Sequence, residues 1–260
     1  MKTHSFVPSG PSGADAPALE WIVLNGRDAA DAAWIEAHSR FDDAVKAIVS
    51  KPPTRSDRAH LDTAVVLTLV RVDDTTGDEP SGLSIVLEAH RVVTICFGTD
   101  AIVGDALDRE AGRATATSVS RVMSLLVAAL LNRLQPELSQ LSDRIDDLED
   151  AAMKEDDAPI DDQVVLAGRQ ILALRRYLAP MYYELNYLGL NPDELPGTAE
   201  PRYLRRAAES LERLSGALDS SHHRVQLILN QLSNRDTSRL EKSMHKLTLI
   251  ATASAEPILT

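Results

Sequence analysis

The chain has 260 residues, enough to bury one sizeable hydrophobic core or two smaller ones. Its net charge of −12 argues against binding nucleic acid or anionic lipid through overall attraction, and it is compatible with attracting cations. The single cysteine, Cys96, excludes an intrachain disulfide; set among Val92, Val93, Thr94, Ile95 and Phe97, it reads as a small buried hydrophobe suited to a reducing compartment.

Residues 1–18 carry one lysine and no apolar core of signal-peptide length, and Pro8 to Gly13 is a Pro/Ser/Gly run, so this stretch is expected to be a disordered leader. An α/β domain is expected over 19–117. It opens with a buried strand at Leu19 to Asn25, followed by a helix capped by Asp28 and a second helix from Asp42 to Val49 that stops at Pro52-Pro53. Ala64 to Val72 is a continuous β-branched and apolar run, the pattern of a strand covered on both faces. Asp73 to Gly82 is turn chemistry, and Leu83 to Glu88 with Arg91 to Phe97 forms an antiparallel hairpin. A helix from Asp100 to Arg109 and a loop from Ala111 to Thr117 close the domain.

From Ser118 the chain is wholly helical. Val122 to Leu131 lacks charge but is too short to span a bilayer, so it reads as a face packed on the sheet. Pro136 kinks without ending the helix, because apolar spacing resumes through Leu138, Leu141, Ile145 and Leu148. Val164, Ala167, Ile171, Leu174 and Leu178 continue the period, giving a helical hairpin over 118–190 closed near Ala158-Pro159. Tyr177, Tyr182, Tyr183 and Tyr187 are expected to pack at its base. Between Glu137 and Asp162 eleven acids stand against two bases, so the hairpin has an acidic tip.

Residues 201–252 read as one stalk helix, about 75 Å long at the α-helical rise. Ala207, Leu218, Leu229, Leu240 and Ala251 recur in steps of eleven, which favours a bundle of nearly straight copies around an axis. From Pro201 to Leu247 nine bases oppose five acids, so stalk and hairpin are expected to attract each other. Thr248 to Ala255 loses all charge, which fits either the C-terminal helix of a soluble protein or a stalk cut where it meets a membrane. The fold expected is α+β: an N-terminal α/β/α layered domain with a mixed sheet, then the hairpin and the long stalk.

Chemistry-bearing motifs are sparse. There is no Gly-rich phosphate loop and no Gly-x-Ser-x-Gly elbow, so an enzyme is not expected. Asp219 and His223 have the i, i+4 spacing that puts two metal ligands on one helix face, short of the three or four a zinc site wants. Asp146, Asp147, Glu149 and Asp150 are the acidic-tip candidates. His38, His60 and His90 are isolated and read as surface residues.

The order of these segments resembles the cytoplasmic part of the CorA-type metal-ion transporters. It is carried by Trp21 to Leu24, Val66 to Val72 and the strand pair Leu83 to Leu87 and Arg91 to Ile95. More specific are Arg144-Ile145-Asp146-Asp147-Leu148-Glu149, Arg169 to Pro180, and Met244 to Thr252, the last similar to the start of the family's first membrane helix. The zinc-transporting branch is the most similar. The resemblance implies a homopentamer in the bacterial inner membrane, with this part on the cytoplasmic side, the membrane reached through missing C-terminal helices, and no nucleic acid partner or organic cofactor. A divalent cation, zinc or alternatively magnesium, is implied as the transported or regulatory ion. The resemblance also implies that Asn230, Glu241, Met244, Leu247 and Ala251 line the pore, although a polar residue more often stands where Glu241 does. Residues 253–260 depart from the apolar continuation and read as a truncated or foreign tail. A magnesium or cobalt channel domain, or a soluble oligomeric helical scaffold, are the alternatives.

Overall fold

The computed structural model describes residues 1–6, 19–38, 40–54, 56–61, 64–71, 81–98, 100–111, 118–154, 160–197 and 200–254. The expected Pro8 to Gly13 run, most of the 73–82 turn, the 112–117 loop, the hairpin closure at Ala158-Pro159 and the tail from 255 onward lie outside them.

The elements in chain order are β1 (Lys2–Phe6), β2 (Leu19–Asn25), α1 (Ala29–Ala37), α2 (Asp43–Val49), β3 (Asp57–His60), β4 (Val65–Arg71), β5 (Ser81–Glu88) and β6 (Arg91–Phe97). They continue with α3 (Asp100–Ala111), α4 (Val119–Met153), α5 (Asp161–Leu190), a short 3-10 turn (Pro192–Glu194) and α6 (Pro201–Ser254). The fold is α+β, with a mixed sheet, layered helices and one very long C-terminal helix.

Two compact units divide the chain: Met1–Glu137 with Ala173–Ala217, and Leu138–Leu172 with Leu218–Thr260. The division falls inside the three long helices.

The first unit is built on a six-stranded sheet in the order β1-β2-β6-β5-β4-β3. β2 and β6 run parallel and every other neighbouring pair is antiparallel. β5 is buried along its whole length, with Leu83, Ile85 and Leu87 on one face and Val86 between Ser84 and Glu88 on the other. On one face, Ile22, Leu24, Val66, Val86, Val93, Ile95 and Phe97 form a core with Ile35 of α1 and Val45 and Val49 of α2. Asp28 caps α1 by accepting from the Ala30 and Asp31 amides, and Asp42 caps α2 through the Val45 amide. On the other face Trp21 is fully buried and its indole donates to Thr94 Oγ1 at 2.9 Å, so its polar edge is satisfied. Cys96, two residues along β6 from Thr94, is buried as well.

Two strands depart from the sequence reading. Lys2–Phe6, expected in a disordered leader, is β1 and pairs antiparallel with β2. Asp57–His60 has no apolar run, yet it forms β3 against β4. Arg58 fixes it there: Nε donates to Glu184 of α5 and Nη1 to Glu194, each at 2.7 Å, and the guanidinium lies over the Tyr187 ring. Of the tyrosines expected to pack together, Tyr177 is buried while Tyr183 is 67% exposed.

The second unit is a three-helix core. Leu141, Ile145, Leu148 and Ala152 of α4 face inward, as do Val164, Ala167 and Ile171 of α5 and Leu218, Val225 and Ile228 of α6. The three-and-four spacing of these residues is what puts them on one side of each helix, and full burial of each Leu, Ile or Val contributes roughly 1.5–3 kcal/mol. At Gly168 the helices approach closely, since a Cβ there would lie 3.4 Å from Val225 Cγ1.

Candidate functional site

The second unit carries the candidate residues, and its charges are arranged by helix geometry. On α4, Asp146 and Glu149 stand three residues apart and share a face. Arg224 of α6 meets both: Nε donates to Glu149 Oε1 at 2.7 Å, Nη2 to Glu149 Oε2 at 2.6 Å, and Nη2 also reaches Asp146 Oδ1. This is a bidentate fork with a second carboxylate beside it, a geometry only a guanidinium provides. The hydrogen bond from Arg224 holds the Glu149 carboxyl below the ordinary carboxylate range, with burial opposing. Glu149 in turn, followed by Asp146, raises the Arg224 pKa.

Eleven residues further along α6, Arg235 donates from Nη1 to Ala152 O at 3.0 Å and from Nη2 to Lys154 O. Gln231 donates to the same Ala152 carbonyl at 3.0 Å. The last carbonyls of α4 have no intrahelical partner, and a cation there also complements the helix dipole. Of the two clamps, Arg224 makes the acid–base attraction expected between hairpin and stalk, whereas Arg235 and Gln231 grip backbone carbonyls.

Neither clamp is expected from the sequence. Their signal is nonetheless present, because Arg213, Arg224, Arg235 and Lys246 repeat in steps of eleven, the interval of the apolar residues.

The candidate metal ligands are placed differently. Asp146 and Glu149 are engaged by Arg224, while Asp147 and Asp150 are exposed. Asp219 and His223 are exposed on α6, and half-buried His222 next to them has an enclosed Nδ1 without a hydrogen-bond partner. Among the described residues, no group of three or more His, Cys, Asp and Glu side chains is set to hold a metal ion. Asn230 and Glu241 are on α6, Glu241 exposed; Met244 is 65% and Leu247 63% exposed, and Ala251 lies in the last turns of the helix. Among the described residues no helix is long and apolar enough to cross a membrane.

His38, expected as an isolated surface residue, is instead half-buried and stacked on Trp34 at 4.3 Å between ring centroids.

A family model described as CorA-like Mg2+ transporter protein matches residues 17–259. The zinc transport protein ZntB of Yersinia enterocolitica is 23% identical over 257 residues, covering 95% of this chain and 76% of that protein. Among solved structures, full-length CmaX superposes with a TM-score of 0.79 at 20% identity, covering 95% of this chain and 79% of that one. The ZntB cytoplasmic domain from Vibrio parahaemolyticus gives a TM-score of 0.67 at 14% identity, covering 84% and 88%. These two structures share the fold with the chain. With the family model matched from before β2 to beyond the end of α6, the chain belongs to the CorA-like Mg2+ transporter family, whose members are divalent-cation transporters and not enzymes.

Proposed function

We propose that the chain is the cytoplasmic funnel and regulatory part of a zinc transporter, working as a homopentamer at the bacterial inner membrane. The observation that carries this reading is the change of character along α6. Leu218, Val225 and Ile228 are buried within the chain, whereas Leu240, Met244, Leu247 and Leu249 are 68%, 65%, 63% and 56% exposed. Leu240, Met244 and Leu247, at i, i+4 and i+7, share one face of the helix; left uncovered, that face needs a partner, and copies of the same helix around an axis supply it.

In that arrangement Asn230, Glu241, Met244, Leu247 and Ala251 face the axis. The apolar members make a constriction that resists a hydrated ion until the helices part, and Glu241 adds a ring of carboxylates. The acidic tip, with Asp147 and Asp150 outside the Arg224 clamp, concentrates cations near the stalk over about a Debye length of ~8 Å. A cation that favours one arrangement of the bundle over another shifts the opening accordingly. Asp219 and His223 have room to contribute to a metal site only together with ligands from another copy.

Zinc is favoured over magnesium by the similarity to ZntB; the description of the matching family names magnesium. Uptake of radioactive zinc by proteoliposomes containing the gene product, with magnesium as competitor, separates them. Zinc flux that a large excess of magnesium leaves intact is the expected result. Flux of magnesium without zinc moves the assignment to the magnesium branch, and flux of neither removes the transport reading.

A further inference from the structure

At one end of the sheet, charged groups from several elements converge on Arg91, the first residue of β6. Nε donates to Glu20 of β2 at 2.7 Å, Nη1 lies 3.5 Å from Glu88 Oε2 at the end of β5, and Nη1 donates to His38 Nε2 at 3.0 Å. Arginine has no acceptor, so His38 Nε2 must accept, and the imidazole is neutral with its proton on Nδ1. His38 caps the C-terminus of α1, where its amide donates to Ile35 O and its carbonyl accepts from the Phe41 amide at 3.2 Å. It therefore holds the connection from α1 to α2, and Phe41 is part of the core below.

The turn between β5 and β6 is the other half of the arrangement. Glu88 and Arg91 flank it, and His90 O accepts from the Glu20 amide at 2.9 Å. Gly197, in the connection that leads to α6, lies against Ala89 of this turn with φ +82; a Cβ there would collide with the Ala89 carbonyl. One turn thus touches the His38 cluster on one side and the chain preceding α6 on the other.

We propose that this cluster is a proton-sensitive latch: neutral His38 ties the α1–α2 connection to the β5–β6 turn through Arg91, and a proton on His38 releases the turn on which the chain leading to α6 is seated. Protonation replaces an acceptor by a cation facing Arg91, Arg40 and Lys46, with Glu20 as the opposing charge. Burial, then Arg91 and Arg40, hold His38 below the ordinary histidine value, with Glu20 opposing and Lys46 adding to the depression. The hold is accordingly complete above that value and is lost as pH falls through the lowered one. Glu88 acts in the opposite sense. It is 9% exposed, its Oε2 accepts no hydrogen bond, and burial raises its pKa against Arg91 and Arg40, with Glu20 adding. Its protonation relieves a buried charge and favours the closed state as pH falls.

The two contributions are separable by substitution. Hydrogen exchange of the whole chain is measured from about pH 7.5 to 5, corrected for intrinsic rates, reading the amides of Phe41, Glu20 and Tyr203. In Glu88→Gln, protection at Phe41 and Glu20 falls as pH drops below about 6.5, by up to about tenfold per unit for one linked proton, and Tyr203 follows. In His38→Gln, whose amide oxygen accepts at every pH, that loss disappears and protection rises weakly toward low pH. In the wild type the His38 ring resonances titrate with the same midpoint as the Phe41 amide, a reading that stands if a variant fails to fold. Identical profiles for the two variants, a His38 ring that titrates at or above the ordinary value, or a Tyr203 amide indifferent to the Phe41 transition would each overturn the latch.

Discussion

Arg224 on α6 grips Glu149 on α4 with both Nε and Nη2, at 2.7 and 2.6 Å, while the same Nη2 reaches Asp146. A planar fork against a planar carboxylate fixes the rotation of α6 as well as its distance from α4, which a point charge on lysine does not do. With Arg235 closing the end of α4 eleven residues later, the face α6 turns away from the hairpin is determined.

Arg224→Gln is expected to lower the stability of the second unit by about 1 kcal/mol, a modest value because both partners are about a third exposed and water screens them. Urea unfolding followed by the exchange of α4 and α6 amides measures it. The difference from wild type should shrink as salt rises from about 0.05 to 0.5 M, since the Debye length falls several-fold. A salt-independent difference would point to packing instead of charge.

The same pair has an acid limit with a definite sign. Glu149 has a lowered folded-state pKa, so its contribution is present above the ordinary glutamate value near 4.5 and is lost as pH falls through the lowered one. Wild type and Arg224→Gln should therefore converge in stability below about pH 4. Curves that stay parallel down to about pH 3 would speak against the assignment.

Two glycines are expected to respond in opposite directions. Gly216 sits inside α6, and a Cβ added there would meet nothing within 4 Å, so Gly216→Ala adds helix propensity at no steric cost and should stabilise by about 1 kcal/mol. Gly197 has φ +82 and faces the Ala89 carbonyl, so Gly197→Ala should destabilise the first unit by more than about 1 kcal/mol. Thermal unfolding of the two variants beside wild type reads both signs in one experiment.

How much of this the sequence discloses varies with the range of the interaction that decides it. β2 and β6 occupy the residues expected, because runs such as Trp21-Ile22-Val23-Leu24 and Val92-Val93-Thr94-Ile95 carry the strand signal locally. β1 and β3 carry almost none. Lys2-Thr3-His4-Ser5 and Asp57-Arg58-Ala59-His60 are polar, and they become strands through pairing with β2 and β4 and, for β3, through Arg58 and two distant glutamates. The candidate site divides in the same way. The acidic tip and the eleven-residue spacing of Arg213, Arg224 and Arg235 are visible in the chain, whereas the choice of Glu149 and the Ala152 carbonyl as partners depends on how α4 and α6 lie together in the second unit. His38 looks isolated in the chain because its partners Trp34 and Arg91 come from a helix turn before it and a strand 53 residues after it.

If the distal part of α6 is one wall of a conduit shared among copies, a single introduced thiol should reveal it. The only cysteine, Cys96, is buried, so in Leu247→Cys the new residue, replacing a side chain 63% exposed, supplies the reactive sulfur. Mild oxidation of this variant in membranes, followed by denaturing electrophoresis and native mass measurement, reads whether copies meet at that position. The expected result is a disulfide-linked dimer within an assembly of pentamer mass, with no such link in a Val165→Cys control, whose position lies on the outward side of α5. A chain that stays monomeric at both positions, or that links as readily through residue 165 as through 247, would contradict the shared conduit.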